Sequence, residues 1–323
     1  MKKNHSFCPT EIIFALTGSC NLNCPHCYTN KNPTKLSIKD AINFLESCKN
    51  TTIQNVGFSG GGEPFLYFDF LKDIVSYCVK NDFFFDRIMT NGVWWQNQED
   101  LNLKLQQLYD CGYDGKFGLS WDSYHGQTTE KIFTFIKSVH SIFGEQSVEI
   151  QSIIANSKNT NDKQNLNDLQ KFTELANLLN SNISVQTNKK TGKGLIIIEN
   201  ENLFIPIWRE RQTLQSNLPE AWTSKKWFKD DYCQGPGQIL FVHPDGNISP
   251  CCGFANENPE LFIGTIKETF LSIMNNSKQN RMVQICYNEG LSKQIKVLKK
   301  QKKLIGKTDD LCTFCDYICK VKN

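Results

Sequence analysis

The chain has 323 residues, 39% hydrophobic and 21% charged, with 36 Lys and Arg against 33 Asp and Glu for a net charge of +3. That is the composition of a globular protein with one large core or two unequal ones, and the charge is too small to argue for nucleic acid or an anionic membrane as partner. The apolar run 12–16 is too short for the core of a signal peptide, and no stretch approaches membrane-spanning length, so a cytoplasmic protein is expected.

Strand-like and helix-like runs alternate through the first part. Residues 11–17 are β-rich. Residues 37–49 carry apolar side chains at Ile38, Ala41, Ile42 and Leu45, a helical period, with Ser37 placed to cap and Asp40 in the first turn. Strands are then expected at 53–59, 83–90, 116–121, 148–154 and 183–187, and helices at 66–80, 101–111, 128–143 and 166–179. Six β–α repeats predict an α/β fold, a partial (β/α)6 barrel whose chemistry sits in loops after the strand C-termini. After residue 190 the alternation stops. Gly192 and Gly194 suggest a bend, and a less regular stretch with Trp208, Trp222 and Trp227 leads to Cys233. A hairpin is expected over 239–250, turned by His243-Pro244-Asp245-Gly246. Polar helix follows over 265–305. The expected division is a core over 8–190, a bridge over 191–232 and a small α+β domain over 233–323.

Fourteen cysteines is a high count for a chain of this length. They cluster at 20–27 and 312–319 with a dispersed set between, a pattern that favours metal ligation in a reducing compartment over disulfides. Cys8, Cys48, Cys78, Cys111 and Cys286 fall outside any ligand-like grouping and are expected to be packing residues.

The run Cys20-x3-Cys24-x2-Cys27 follows the first strand. Three thiolates can hold three irons of a [4Fe–4S] cluster and leave the fourth open. A zinc site would need a fourth ligand, and His26 is poorly placed to be one. Ser59-Gly60-Gly61-Gly62-Glu63-Pro64 follows the second strand, where glycine permits close backbone approach and Glu63 can accept from an ammonium. Together these motifs resemble the CxxxCxxC and GGEP signatures of the radical S-adenosylmethionine (SAM) enzymes, over about residues 8–190. The resemblance implies that Cys20, Cys24 and Cys27 hold the cluster and that SAM chelates the open iron. It is then cleaved to a 5′-deoxyadenosyl radical that abstracts hydrogen. The same resemblance places Gly61, Gly62, Glu63 and Pro64 at the amino group of SAM, and His26 beneath the adenine. Thr90, Asn91, Ser120 and Asp122 fall at its methionyl or ribose part.

In the C-terminal part, Cys233-x12-Gly246-x4-Cys251 is followed by Cys312-x2-Cys315 and then Cys319. This resembles the Twitch and SPASM auxiliary-cluster domains. It implies a second [4Fe–4S] cluster on Cys233, Cys251, Cys312 and Cys315, with Cys319 as a spare or replacement ligand. Zinc on the same cysteines is the alternative that spacing leaves open. Cys252 lies next to Cys251 in Pro250-Cys251-Cys252, and this arrangement resembles Twitch-type peptide epimerases, in which the second cysteine returns a hydrogen atom to the substrate radical.

The resemblance therefore implies a ribosomally made peptide as substrate, converted from L to D, and an electron donor such as flavodoxin or ferredoxin. Dehydrogenation, or thioether or carbon–carbon crosslinking with the auxiliary cluster as electron acceptor, is the alternative chemistry. A metal-stabilised binding module is the non-enzymatic one, which the glycine–glutamate loop argues against. The short segment before the first strand is too short for a leader-peptide-binding domain, so a precursor is expected to bind elsewhere.

Overall fold

The computed structural model describes residues 6–29, 31–154, 158–187, 194–235 and 237–321. The chain forms two compact units, one of residues 1–15, 36–55 and 213–323, the other of residues 16–35 and 56–212. Gly192 lies outside the described residues, and Gly194 opens a strand.

The second unit holds most of the α/β repeat. Its strands are β2 (Asn55–Phe58), β3 (Phe84–Thr90), β4 (Lys116–Ser120), β5 (Val148–Ile154), β6 (Asn182–Thr187), β7 (Gly194–Glu199) and β8 (Phe204–Arg211), in the order β2-β3-β4-β5-β8-β7-β6. The β3–β4, β4–β5 and β5–β8 pairs are parallel. Between the strands run α2 (Phe68–Lys80), α3 (Gln98–Asp110), α4 (Thr129–Phe143) and α5 (Lys158–Leu178). Parallel strands covered by helices on their faces read as apolar runs. Phe117, Leu119, Ile150 and Ile207 are accordingly buried, as are Phe70, Leu71 and Ile74 of α2 and Ile132, Phe135 and Ile136 of α4, with the Phe117 and Phe135 rings meeting edge to face. Caps start the helices where the sequence has Asn97 before α3 and Thr128 before α4, each side chain accepting an N–H from the first turn.

The α/β class with parallel strands is as expected, but the sixth parallel strand is not the one that the pattern predicts. Residues 183–187 do form a strand, β6, yet it pairs antiparallel with β7, which pairs antiparallel with β8. The strand parallel to β5 is β8, inside the stretch expected to be irregular. Pro206 sits in its middle and Arg209, Glu210 and Arg211 at its end, and proline inside an apolar run masks a strand because it removes a ladder donor.

The first unit contains β1 (Glu11–Phe14), α1 (Ile38–Cys48), β9 (Gly237–Val242), β10 (Asn247–Cys251), the short β11 (Gly264–Thr265), α6 (Phe270–Gln279), α7 (Arg281–Val283), α8 (Leu291–Lys300) and α9 (Leu311–Lys320). Strand β1 runs parallel to β9, and β9–β10 is the expected hairpin. Its turn closes with Gly246 N–H donating to His243 O at 2.9 Å, Gly246 adopting φ +88°. Ser37 caps α1 by accepting from Asp40 N. The polar helical region splits into α6, α7 and α8, and Gln284–Glu289 between the last two is a π-helical turn. No helix among the described residues is long and apolar enough to cross a membrane.

Candidate functional site

The loop after β1 is tied down by backbone contacts within the second unit. Gly18 N donates to Thr34 O at 3.0 Å, Gly62 N to Thr17 O at 2.5 Å and Glu63 N to Ser19 O at 2.8 Å. A Cβ on Gly62 would stand 1.6 Å from Ser19 O. The glycine at this position is therefore required by the protein's own cysteine loop. Gly60 and Gly61 adopt φ +81° and +66°, the left-handed region that glycine enters without strain. Lys31 straps the loop, its Nζ donating to Leu22 O at 2.6 Å and Asn23 Oδ1 at 3.2 Å.

This scaffold brings together the three cysteines that the sequence singles out. Burial pushes the Cys24 thiol up, and the neighbouring Cys20 and Cys27 thiols push it further. The Cys20 thiol is also raised by burial, despite the Leu22 N–H that points at it. Asn91 Nδ2 approaches Cys20 Sγ at 3.9 Å and donates to Asn21 Oδ1 at 2.8 Å. Three thiols gathered in one loop are a soft donor set suited to iron.

Glu63 caps the short turn Pro64–Tyr67 and is buried. Its Oε1 accepts from Phe65 N at 3.2 Å and Thr90 Oγ1 at 2.8 Å, and its Oε2 from Asn91 N at 2.8 Å. Burial raises its carboxyl to about 7, and those three donors hold it down from a higher value. Glu63 thus ties the glycine loop to the end of β3. Gln127 Nε2 closes the next gap, donating to Asn91 O at 2.9 Å and to Ser120 O, at the end of β4, at 2.8 Å.

Asp122 is also an internal hub. Its Oδ1 accepts from Tyr124 N at 2.8 Å, His125 N at 3.2 Å and His125 Nδ1 at 2.8 Å, and its Oδ2 accepts from Ile153 N at 2.7 Å. Burial works to raise this carboxyl, but His125 and the backbone donors outweigh it and hold it below its usual value. His26 lies with its ring centroid 4.6 Å from that of His125 and 5.5 Å from that of Tyr124. Burial, with His125 and Lys31 adding, lowers His26 to about 4, so it is neutral at pH 7. His26 Nδ1 is buried with no hydrogen-bond partner, the only such ring nitrogen among the described residues of this loop. An orphaned acceptor or donor there suits a ligand that brings its own polar edge.

Sequence reading missed the network beside this cluster. Asp168 on α5 accepts from Ser123 N at 2.8 Å and from Ser123 Oγ. Arg209 on β8 donates to Asp168 Oδ2 at 2.5 Å and to Asn165 Oδ1 at 3.0 Å. It locks the ends of β4 and β8 to α5.

The second cysteine group lies within the first unit. A cavity is lined by Cys233, Cys251, Cys286, Cys312 and Cys315. Cys233 N donates to Cys286 O at 3.0 Å, and Cys251 ends β10 beyond a register shift at Ser249. Cys312 and Cys315 lie on α9, which Asp310 caps by accepting from Thr313 N. Gly237 makes room, because a Cβ there would stand 2.5 Å from Tyr287 Oη and 2.8 Å from Cys233 Sγ. Burial raises the Cys233 thiol to about 11 and the Cys251 thiol well above its usual value. Thiols gathered in an apolar cavity ionise when a metal supplies the compensating charge, so this donor set also fits a soft metal centre. Among the described residues no three Cys, His, Asp or Glu side chains converge on one metal-ion position.

Two packing expectations need correction. Cys286 lines this cavity, with Sγ 3.7 Å from Cys315 Sγ, and so is more than filler. Cys8 is exposed, whereas Cys48 and Cys78 are buried as packing residues should be. Cys319 is buried on α9 in hydrogen-bond contact with Cys315, and Cys252 is half-buried against Ala15, Ile239 and Phe241. No disulfide joins any of the cysteines.

Comparison with known proteins finds a match for each cysteine-bearing region. Residues 14–132 match the radical SAM superfamily model and residues 233–316 match SPASM, an iron–sulfur cluster-binding domain. YydG of Bacillus subtilis, whose name ties it to peptide biosynthesis, is 24% identical over 91% of this chain and 85% of its own length. The sporulation killing factor maturation protein SkfB of Bacillus subtilis is 23% identical over 76% of this chain and 61% of its own length. Among solved structures, native anSMEcpe with bound AdoMet and Cp18Cys peptide aligns with a TM-score of 0.53 at 14% identity, covering 87% of this chain and 88% of that one. BtrN in complex with AdoMet and 2-DOIA aligns with a TM-score of 0.50 at 15% identity, covering 88% and 93%. At these identities the structural likeness shows the fold. The chain carries a radical SAM domain over residues 14–132 and an SPASM domain over residues 233–316, and those domains imply a [4Fe–4S] cluster, SAM and further iron–sulfur ligation.

Proposed function

We propose that this radical SAM enzyme matures a ribosomally made peptide by inverting a residue from L to D, with Cys252 as the hydrogen donor. The observation that carries the reading is the separation of two adjacent thiols. Cys251 lines the cysteine cavity, whereas Cys252 is half-buried against Ala15, Ile239 and Phe241. Cys252 still stays within electrostatic reach of Cys233, Cys251 and Cys312, so one of the two adjacent thiols lines the cavity and the next is held beside it. Similarity to YydG and SkfB supports a peptide as substrate.

Cys20, Cys24 and Cys27 would hold an iron–sulfur cluster that, with SAM and an electron from an external carrier such as flavodoxin or ferredoxin, would supply the radical that takes hydrogen from the substrate. The chain's own residues orient that chemistry. Gly60, Gly61 and Gly62 bare the backbone beside the cysteine loop, Pro64 fixes the turn that follows, and Glu63 holds Thr90 and Asn91 against it. His26 offers its orphaned Nδ1 and ring face to the adenine. Ser120 lies at the adjoining strand end, and Asp122 keeps His125 against His26. At the substrate, the Cys252 S–H bond breaks as a new Cα–H bond forms on the opposite face. The resulting sulfur radical takes up one electron and one proton before the next turnover. Cys233, Cys251, Cys312 and Cys315 would hold the auxiliary cluster, with Cys319, in hydrogen-bond contact with Cys315, in reserve. Fourteen cysteines without a disulfide suit the reducing cytoplasm.

The test is turnover of a candidate precursor peptide in D2O. Inversion gives a product one mass unit heavier, containing a D-residue after hydrolysis. Cys252→Ala keeps its iron and its 5′-deoxyadenosine production but yields no D-residue. A product lighter by two hydrogens establishes oxidation or crosslinking instead. Loss of a full cluster from Cys252→Ala makes Cys252 a ligand and ends the donor assignment.

A further inference from the structure

Five thiols line the cavity of the first unit, and a [4Fe–4S] cluster takes one thiolate per iron, four in all. The surplus thiol can be identified from contacts. Cys286 Sγ and Cys315 Sγ are 3.7 Å apart, within hydrogen-bonding range for sulfur, and either can donate as thiols. Two sulfurs in contact do not suit separate irons of a cluster, so one of the pair is the ligand and the other its neighbour. Cys315 is the better ligand. It shares a helix and a cavity-facing turn with Cys312, three residues earlier on α9. Cys286 instead sits on the π-helical turn Gln284–Glu289, a distortion that recurs at functional positions.

We propose that Cys286 is a hydrogen-bond donor to the Cys315 thiolate and tunes the auxiliary cluster without ligating it. Once Cys315 is ligated it can only accept, so the S–H of Cys286 becomes the donor of the pair. Hydrogen bonds to ligand sulfur stabilise the more reduced, more negative cluster and raise its reduction potential. The surrounding structure holds the thiol in place. Cys286 O accepts from Cys233 N at 3.0 Å, and the next residue, Tyr287, donates its hydroxyl to Pro250 O at 2.8 Å. Cys286 is thereby linked to the Cys233 segment through its own carbonyl and to the Pro250–Cys251 segment through the Tyr287 hydroxyl. The proposal makes Cys286 a positioning residue and rests on the auxiliary-cluster reading of this cavity.

The experiment uses anaerobically reconstituted full-length wild type, Cys286→Ala and Cys286→Ser. It reads iron and sulfide per chain and an EPR-monitored redox titration of the auxiliary signal. The expected result is unchanged iron in both variants, a more negative midpoint potential in Cys286→Ala, and a smaller shift in Cys286→Ser, whose hydroxyl still donates. A drop of about four irons in both variants makes Cys286 a ligand and overturns the proposal. Unchanged iron with an unchanged potential in Cys286→Ala overturns it as well. If the wild type itself holds zinc and only about four irons, the auxiliary-cluster reading fails and the proposal with it. Cys286→Ser is nearly isosteric, so it answers the question should the alanine variant fail to fold.

Discussion

Gly62→Ala separates two reasons for a glycine beside a cofactor loop. If the glycine serves only to admit a ligand, an added methyl leaves the folded protein intact and weakens SAM binding alone. In this structure the methyl would stand 1.6 Å from Ser19 O, about half an ordinary contact distance, and the obstacle is backbone. The loop must move away, which breaks or lengthens two hydrogen bonds, Gly62 N to Thr17 O and Glu63 N to Ser19 O. At about 1 kcal/mol net each, with about 1–3 kcal/mol for overpacking that cannot relax, the variant should lose about 3–5 kcal/mol. The loop that carries Cys20, Cys24 and Cys27 moves with it. The assay is urea unfolding of the metal-free protein, followed by iron per chain after reconstitution. The expected outcome is a midpoint lowered at unchanged m-value, and loss of about four irons. A Gly62→Ala protein with wild-type stability and wild-type iron would refute the argument, because the backbone contact that it rests on would then be absent in solution.

Other expectations follow from the buried charges. The Glu63 carboxyl is raised from 4.5 to about 7, so the folded state retains a proton that the unfolded state releases between those values. Its contribution to stability is therefore greatest below pH 4.5 and falls as pH rises toward 7, by about 3 kcal/mol. Glu63→Gln should remove that slope, and equal slopes for wild type and variant between pH 5 and 7.5 would contradict it. Asp122 runs the other way: its carboxyl is held below 3.8, so its stabilisation is full above that value and fades as pH falls below it. Asp122→Asn should weaken the acid dependence of unfolding, read as the pH midpoint of the acid transition. Arg209→Ala leaves Asp168 buried without its cation, a loss of about 3–5 kcal/mol. The double variant Arg209→Met, Asp168→Asn should recover a large part of that in urea unfolding, whereas equal losses would mean that Arg209 acts through packing alone.

The strands and helices up to α5 were legible because their signals are local. Ser37 and Thr128 cap the helices that they precede, and the apolar faces of α2 and α4 follow the helical period. The cysteine and glycine motifs were legible for the same reason: each is one uninterrupted loop at a strand end. Orientation is not local. Residues 182–187 look equally strand-like whether they run parallel or antiparallel to a neighbour, and only their pairing with residues 194–199 decides it. Pro206 concealed β8, and with it Arg209, whose partner Asp168 lies 41 residues earlier. A charged pair at that separation has no sequence signature until the strand that carries the arginine is found.

The carboxylates make a subtler case. The resemblance implied cofactor contact for Glu63 and Asp122, which lie in loops after strands. Each is nevertheless occupied by the protein's own N–H and O–H groups. A buried carboxylate must find donors somewhere, and sequence cannot tell whether they come from a ligand or from the chain. The same ambiguity explains Cys286. It lies 29 residues before Cys315, outside any recognisable spacing, so it reads as a small buried hydrophobe. What distinguishes it is its sulfur contact with Cys315, made from the π-helical turn. A spacing rule finds residues that must reach one metal together. It misses a residue whose role is to touch a ligand, because such a residue can arrive from any part of the chain.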